Sequence, residues 1–219
     1  MTYTKFVIEE ENRPRVATGF KGIVVAEETE QPFFTAIVKE ALNRLNQLTT
    51  GRLLLEALSA TSPADDRGYQ VLIHRVSISY KMALDAPPRA SGGSGRSFAK
   101  PGQQRLGVGS DAASQRGAGA SAIVGWCQNQ VVYTPKVGEH KGKQQFLPSA
   151  LTLGHELIHA LHVLKGKSKS GSGSIFLVDG VKTNEEEAYT VGLGAYANKK
   201  FTENKLRAEL GIPRRESYP

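Results

Sequence analysis

Residues 151–166 read LTLGHELIHALHVLKG, and the HELIH at their centre constrains the chain more than any other stretch. The segment predicts a helix over 151–164, with Ser149 as its N-cap and Lys165-Gly166 as its stop. On a helix, residues four apart project from one face, so His155 and His159 can hold a single metal ion between them. Glu156 follows the first histidine directly, where a carboxylate can polarise a water on that metal and take its proton. A catalytic zinc needs a third protein ligand and keeps one position open. A histidine six residues beyond His159 would be one solution, but that position is Lys165. His162, three residues beyond His159, reads as a packing group or an outer neighbour of the metal. A carboxylate from a later helix is the remaining solution. Glu185, Glu186 and Glu187 open a predicted helix over 184–197, where the helix dipole favours negative charge, and spacing alone leaves all three open.

The rest of the 219-residue chain suits one catalytic domain of ordinary composition, with 39% hydrophobic and 22% charged residues. Residues 1–18 are polar and mixed in charge and read as a mobile arm, which places the domain at 19–219. A strand is expected over 22–26 and a helix from Pro32, with Phe33, Ile37, Ala41, Leu45 and Leu48 on its apolar face, stopped by Gly51. A short helix over 53–58 and strands over 69–80 and 123–133 follow, the two strands paired. Residues 91–119 are dense in Gly, Ser, Ala and Arg and predict a long mobile loop. A last helix is expected over 202–210, ending at Gly211 and Pro213.

The single cysteine, Cys127, excludes an internal disulfide framework and fits a reducing compartment. The sequence begins MTYTKFVIEEE, without the basic and apolar regions of a secretory signal, and no stretch is long and apolar enough to span a membrane. The net charge of +7 raises nucleic-acid binding as an alternative. Its lysines and arginines are spread along the chain, however, and no aromatic-interleaved basic motif accompanies them, so neither nucleic acid nor membrane is expected as a partner.

The stretch HELIHALHVLKG resembles the zinc helix of the clostridial neurotoxin light chains, which runs HELIHxxHxLxG. The similarity extends to their EExxTxG pattern, here Glu186-Glu187-Ala188-Tyr189-Thr190-Val191-Gly192. It implies Glu186 as third zinc ligand, Glu187 as an outer neighbour and Glu185 as a solvated residue. FTENKLRAELGIPRRESY, residues 201–218, is similar to those proteases' aromatic-Thr-Glu segment closing in Arg-x-x-Tyr. That match implies a buried supporting role for Glu203, and Arg215 and Tyr218 facing the metal as stabilisers of the oxyanion formed on the scissile carbonyl.

Chain length, HELIHALH, the TNEEE and TVGL segments, FTEN and the terminal RxxSY together resemble the NleD/HopH-type effector proteases. The resemblance is strong over the last seventy residues and extends to the first half only in element order. It implies one Zn2+ per chain and a monomeric α+β domain of zincin-like fold, with a small, mostly antiparallel sheet on the HExxH helix. It further implies type III delivery into a host cytosol and cleavage of host signalling proteins, mitogen-activated protein kinases among them. A non-catalytic, zinc-stabilised binding module is the alternative from another class.

Overall fold

The structure, a computed structural model, describes residues 14–27, 32–61, 71–75, 93–98, 121–127, 131–133, 144–169, 175–178 and 181–216. It is an α+β domain. The main sheet has five strands in the order β1-β2-β3-β5-β4: β1 (Arg15–Ala17), β2 (Ile23–Ala26), β3 (Val71–Arg75), β4 (Gly93–Phe98) and β5 (Ser121–Trp126). Its centre is parallel, β2 with β3 and β3 with β5, while β1 and β4 close the edges antiparallel. The continuous apolar runs IVVA and VLI suit strands covered on both faces. Two antiparallel hairpin pairs stand apart from this sheet, β6 (Val131–Tyr133) with β7 (Gln144–Phe146) and β8 (Ile175–Val178) with β9 (Val181–Asn184). Four of the six strand pairings are therefore antiparallel, but the two parallel ones form the sheet's middle.

Several local expectations shift. Residues 15–17 are not part of an arm, because they pair with β2; residues 1–13 lie outside the described residues. Residues 93–98, inside the expected Gly-rich loop, form β4 on the edge of β5, and the rest of that loop is not described. The expected strand over 123–133 divides, β5 joining the main sheet and β6 pairing with β7.

Helix α1 (Phe34–Gln47) buries Phe34, Val38, Ala41, Leu42 and Leu45, a face rotated from the expected one, and leaves Phe33 75% exposed. Gly51 does not stop it. The break is Leu48, whose extended backbone separates α1 from α2 (Thr49–Ala60), and Gly51 sits buried within α2. A Cβ on Gly51 would stand 2.0 Å from the Leu45 carbonyl oxygen, so only glycine lets the two helices meet at this angle.

Helix α3 (Ser149–Leu164) carries HELIH, and every residue from Ala150 to Val163 is buried. A helix apolar all round must be covered all round. It packs against β4 and β5 and against α1, α2, α4 (Glu185–Val191) and α5 (Glu203–Glu209). Gly154 is the point of closest approach: a Cβ there would lie 2.6 Å from Leu206 Cδ1 and 3.1 Å from Leu45 Cδ1. Its absence brings α5 against the turn that begins HELIH. On the sheet side, Trp126 Nε1 donates to Thr152 Oγ1 at 3.0 Å and fixes the start of α3 against the end of β5.

Candidate metal centre

The first turn of α4 supplies the carboxylates. Asn184 caps it, its Oδ1 accepting from Glu186 N at 2.9 Å, and Gly192 ends it in the left-handed region at φ 82°. A Cβ on Gly192 would meet Thr202 Cβ and Cγ2 at 2.7 Å, so glycine here also admits the chain leading into α5. Thr202 caps α5, accepting from Lys205 N at 3.3 Å.

His155 and His159 share one face of α3, and their Nε2 atoms lie 3.1 Å apart. Glu187 Oε2 completes the group, 3.3 Å from His155 Nε2 and 3.5 Å from His159 Nε2. Three donors on a tetrahedral zinc at about 2.0–2.2 Å stand about 3.3–3.5 Å from one another. The two spacings to Glu187 fall within that range, and the 3.1 Å between the Nε2 atoms is slightly shorter. Glu187 Oε2 is buried and makes no regular hydrogen bond, its neighbours being the two Nε2 atoms, and Glu156 Oε2 on the neighbouring face of α3 is likewise buried without a hydrogen bond; such a carboxylate beside two imidazole nitrogens suits a shared cation.

Each imidazole is held from behind. His155 Nδ1 lies 2.7 Å from Glu203 Oε2, and His159 Nδ1 lies 2.9 Å from Glu186 Oε1 and 3.1 Å from Thr190 Oγ1. Carboxylates that accept from Nδ1 leave Nε2 as the free donor atom on both rings. The outer carboxylates are themselves fixed. Glu186 also accepts from His162 Nδ1 at 2.7 Å and Lys169 N at 2.6 Å; Glu203 accepts from Arg207 Nε at 2.6 Å and Arg215 Nη1 at 3.4 Å.

Among the described residues, two groups of side chains are therefore close enough to hold a metal ion, His155 with His159 and Glu187, and His159 with His162 and Glu186, the glutamate that the sequence resemblance implies as ligand. Glu187 faces the Nε2 pair, while Glu186 sits on the Nδ1 side, buried between His159 and His162. Neighbours on a helix point about 100° apart, so the two carboxylates reach α3's histidines from different sides, Glu187 at the Nε2 atoms of His155 and His159 and Glu186 at the Nδ1 atoms of His159 and His162. Glu185 is not merely solvated: it accepts from Tyr196 Oη at 2.6 Å and lies 3.7 Å from Lys169 Nζ. His162 is an outer neighbour, stacked on Tyr189 with ring centroids 4.0 Å apart. Arg215 is brought to Glu203, whereas Tyr218 lies outside the described residues. Arg207 and Thr190 were not singled out by sequence. The spacing of Arg207 four residues after Glu203 on a predicted helix was the available signal for the first.

Burial alone would lower both ligand histidines. The carboxylates of Glu187 and Glu203 overcome it at His155, raising it to about 9, and those of Glu187 and Glu186 raise His159 well above its ordinary value. Burial likewise opposes ionisation of the glutamates, but His159 and His162 hold Glu186 down at about 2, and His159 and His155 hold Glu187 well below the usual range. Glu203 is held low by His155 and the two arginines. At Glu156 burial outweighs the attraction of His155 and His159 and pushes the carboxyl up to about 7.

A stability profile for the metal-free protein follows. A histidine raised on folding stabilises fully below its unfolded pKa of about 6.5, and that contribution is lost as pH rises through the folded value. The depressed glutamates contribute above about 4.5 and lose their contribution only in acid. The penalty of the raised Glu156 grows as pH rises from about 4.5 to about 7 and persists in full above that, so it too lowers stability as pH rises. Metal-free protein should therefore melt lower at pH 9 than at pH 6, by about 5 °C or more. A flat or rising melting temperature over that interval would contradict these charge assignments.

A sheet packed on a HExxH helix, with carboxylates delivered by later helices, is the zincin-like fold. The structure is similar to the Botulinum Neurotoxin Type D Light Chain (TM-score 0.50, 17% identity) and to the Botulinum Neurotoxin Serotype HA Light Chain (TM-score 0.53, 14% identity). In both cases 87% of this chain is covered, and the chain spans 59% of the light chain's length. No curated protein matches the sequence. Residues 24–218 match the peptidase M91 family, described as "Effector protein", and the chain belongs to that family.

Proposed function

We propose that this chain is a zinc-dependent endopeptidase, an effector delivered by type III secretion that cleaves host signalling proteins, mitogen-activated protein kinases among them. The observation that carries the reading is the triangle of His155 Nε2, His159 Nε2 and Glu187 Oε2, beside a buried Glu156 whose Oε2 makes no hydrogen bond. Family membership supports the effector role, and the kinase targets rest on the resemblance to the NleD/HopH-type proteases. No helix among the described residues is long and apolar enough to cross a membrane.

Zinc bound by these three side chains supplies Lewis acidity and brings a water to near-neutral acidity. The remaining work falls to the chain. Glu156 accepts the proton of the attacking water and passes it to the leaving nitrogen, so one carboxyl serves as base and then acid. Glu203 and Glu186 hold the imidazoles in the tautomer that presents Nε2. Arg215, half-buried beside Glu203, supplies positive charge toward the oxygen of the scissile carbonyl, and Tyr218 is the second donor in this proposal.

The test is metal analysis of purified protein together with cleavage of a panel of recombinant mitogen-activated protein kinases. New peptide N-termini in a eukaryotic cell extract, read by mass spectrometry, extend the search to other targets. About one zinc per chain is expected, with cleavage abolished by chelation and restored by zinc. Protein that takes up no zinc, or zinc-loaded protein that produces no new N-termini in kinases or extract, would overturn the reading.

A further inference from the structure

Five residues beyond a helix end ordinarily fray. Here residues 212–215 are tied down one after another. Ile212 N donates to Arg207 O at 2.9 Å, Arg207 Nη1 donates to Pro213 O at 3.1 Å, and Arg214 Nη2 donates to Gly192 O at 3.4 Å. Arg215 is held differently. Its N donates to Asn204 Oδ1 at 2.7 Å, and its O accepts from Asn204 Nδ2 at 3.0 Å. A side-chain amide presents one acceptor and donors side by side, so it pairs with a residue's two backbone groups as a neighbouring strand would. Asp lacks the donor, and shorter or apolar side chains lack both groups.

Asn204 directly follows Glu203 on the first turn of α5. The two neighbours grip Arg215 at both ends, Asn204 its backbone and Glu203 its guanidinium, and the same Glu203 oxygen lies 2.7 Å from His155 Nδ1. We propose that Asn204 is a positioning residue that fixes the Arg215 backbone so that its guanidinium stays registered to Glu203, and through Glu203 to the face of His155. The inference rests on the role given to Arg215 above. Asn204 itself does not touch substrate.

The test compares Asn204→Ala and Asn204→Asp with Arg215→Ala and with the double variant Asn204→Ala/Arg215→Ala. Three quantities are read: zinc content, the rate at which trypsin frees the tetrapeptide 216–219 from variants retaining Arg215, and new N-termini formed in the eukaryotic cell extract. Both Asn204 variants should keep zinc, because no ligand is touched. Trypsin should free the tetrapeptide at least about tenfold faster once the backbone pairing is lost. Cleavage of extract proteins should fall about a hundredfold, as misplacement of a catalytic group by about 1 Å can cost that much. The double variant should be no slower than Arg215→Ala, since both changes remove the same contribution.

Unchanged trypsin release, unchanged cleavage in the Asn204 variants, or fully additive losses in the double variant would each overturn the proposal. Wild-type cleavage by Arg215→Ala would overturn it through the role of Arg215. A crippled Arg215→Ala beside an active Asn204→Ala would locate the error in the clamp alone.

Discussion

Glu156→Ala is expected to cut proteolysis by about 10²- to 10⁴-fold while zinc content stays at its wild-type value. Glu156 lies on α3 between the two histidines, but its carboxyl is not among the donors grouped at the Nε2 pair. Its removal therefore leaves the ligand triangle intact. Glu156 is 3% exposed and its Oε2 has no partner, so the fold carries this group at an electrostatic cost. Desolvation of an unpaired carboxylate is unfavourable, and alanine relieves it. Melting of the zinc-loaded variant should accordingly match or exceed wild type, with Glu156→Gln as the isosteric control. Undiminished cleavage by both variants would leave a zinc-stabilised binding module as the better description.

The second large effect separates the two glutamates. Glu187→Ala should lose zinc during purification, because it removes the carboxylate lying within 3.5 Å of both Nε2 atoms. Glu186→Ala should retain a site whose affinity is about 10- to 100-fold weaker, the usual effect of losing a group that orients a ligand histidine. It should also be the less stable of the two folds. Glu186 accepts from His159, His162 and Lys169 N, and each buried donor left without a partner costs about 1–3 kcal/mol. Metal titration and thermal melting of the two variants decide the matter. Tight zinc in Glu187→Ala with none in Glu186→Ala would restore the order implied by the sequence resemblance.

Which glutamate serves as ligand is the part of the site on which the sequence resemblance, favouring Glu186, and the geometry at the Nε2 pair, favouring Glu187, point different ways. HELIH on a buried helix is a local pattern, and its two histidines are legible because a four-residue spacing fixes their common face. The choice among Glu185, Glu186 and Glu187 depends instead on how α4 is rotated against α3. That rotation is set by Gly192 against Thr202 and by the route into α5, which are contacts between distant segments. The same division runs through the fold. The existence of helices α1, α3 and α5 was readable from periodicity, but α1 buries a rotated face and α3 is capped at Pro148, without the side-chain cap expected of Ser149, which is its first helical residue. The parallel pairing of β2 with β3 and the return of residues 93–98 to β5 are long-range events with no local signature. Gly51 misled because a glycine between apolar runs reads as a stop, whereas here it serves close approach to the Leu45 carbonyl. Asn204 was invisible as a clamp because its partner is the backbone of Arg215, and a backbone leaves no pattern in sequence.

His155, His159, Glu186, Glu187 and Glu203 exchange hydrogen bonds and ion pairs with one another and with His162, Lys169, Thr190, Arg207 and Arg215, which lie on α3, α4, α5 and the segments between and after them. The main sheet, complete by Trp126, meets this machinery through packing on α3 and the Trp126–Thr152 hydrogen bond. Inheritance can therefore act on the two portions at different rates. Substitutions on the solvent side of the first 148 residues can remodel the outer surface without displacing a donor atom. Such a chain can change its outer surface while the histidine–carboxylate cluster stays as it is, and the family match, which runs over residues 24–218, takes in both portions.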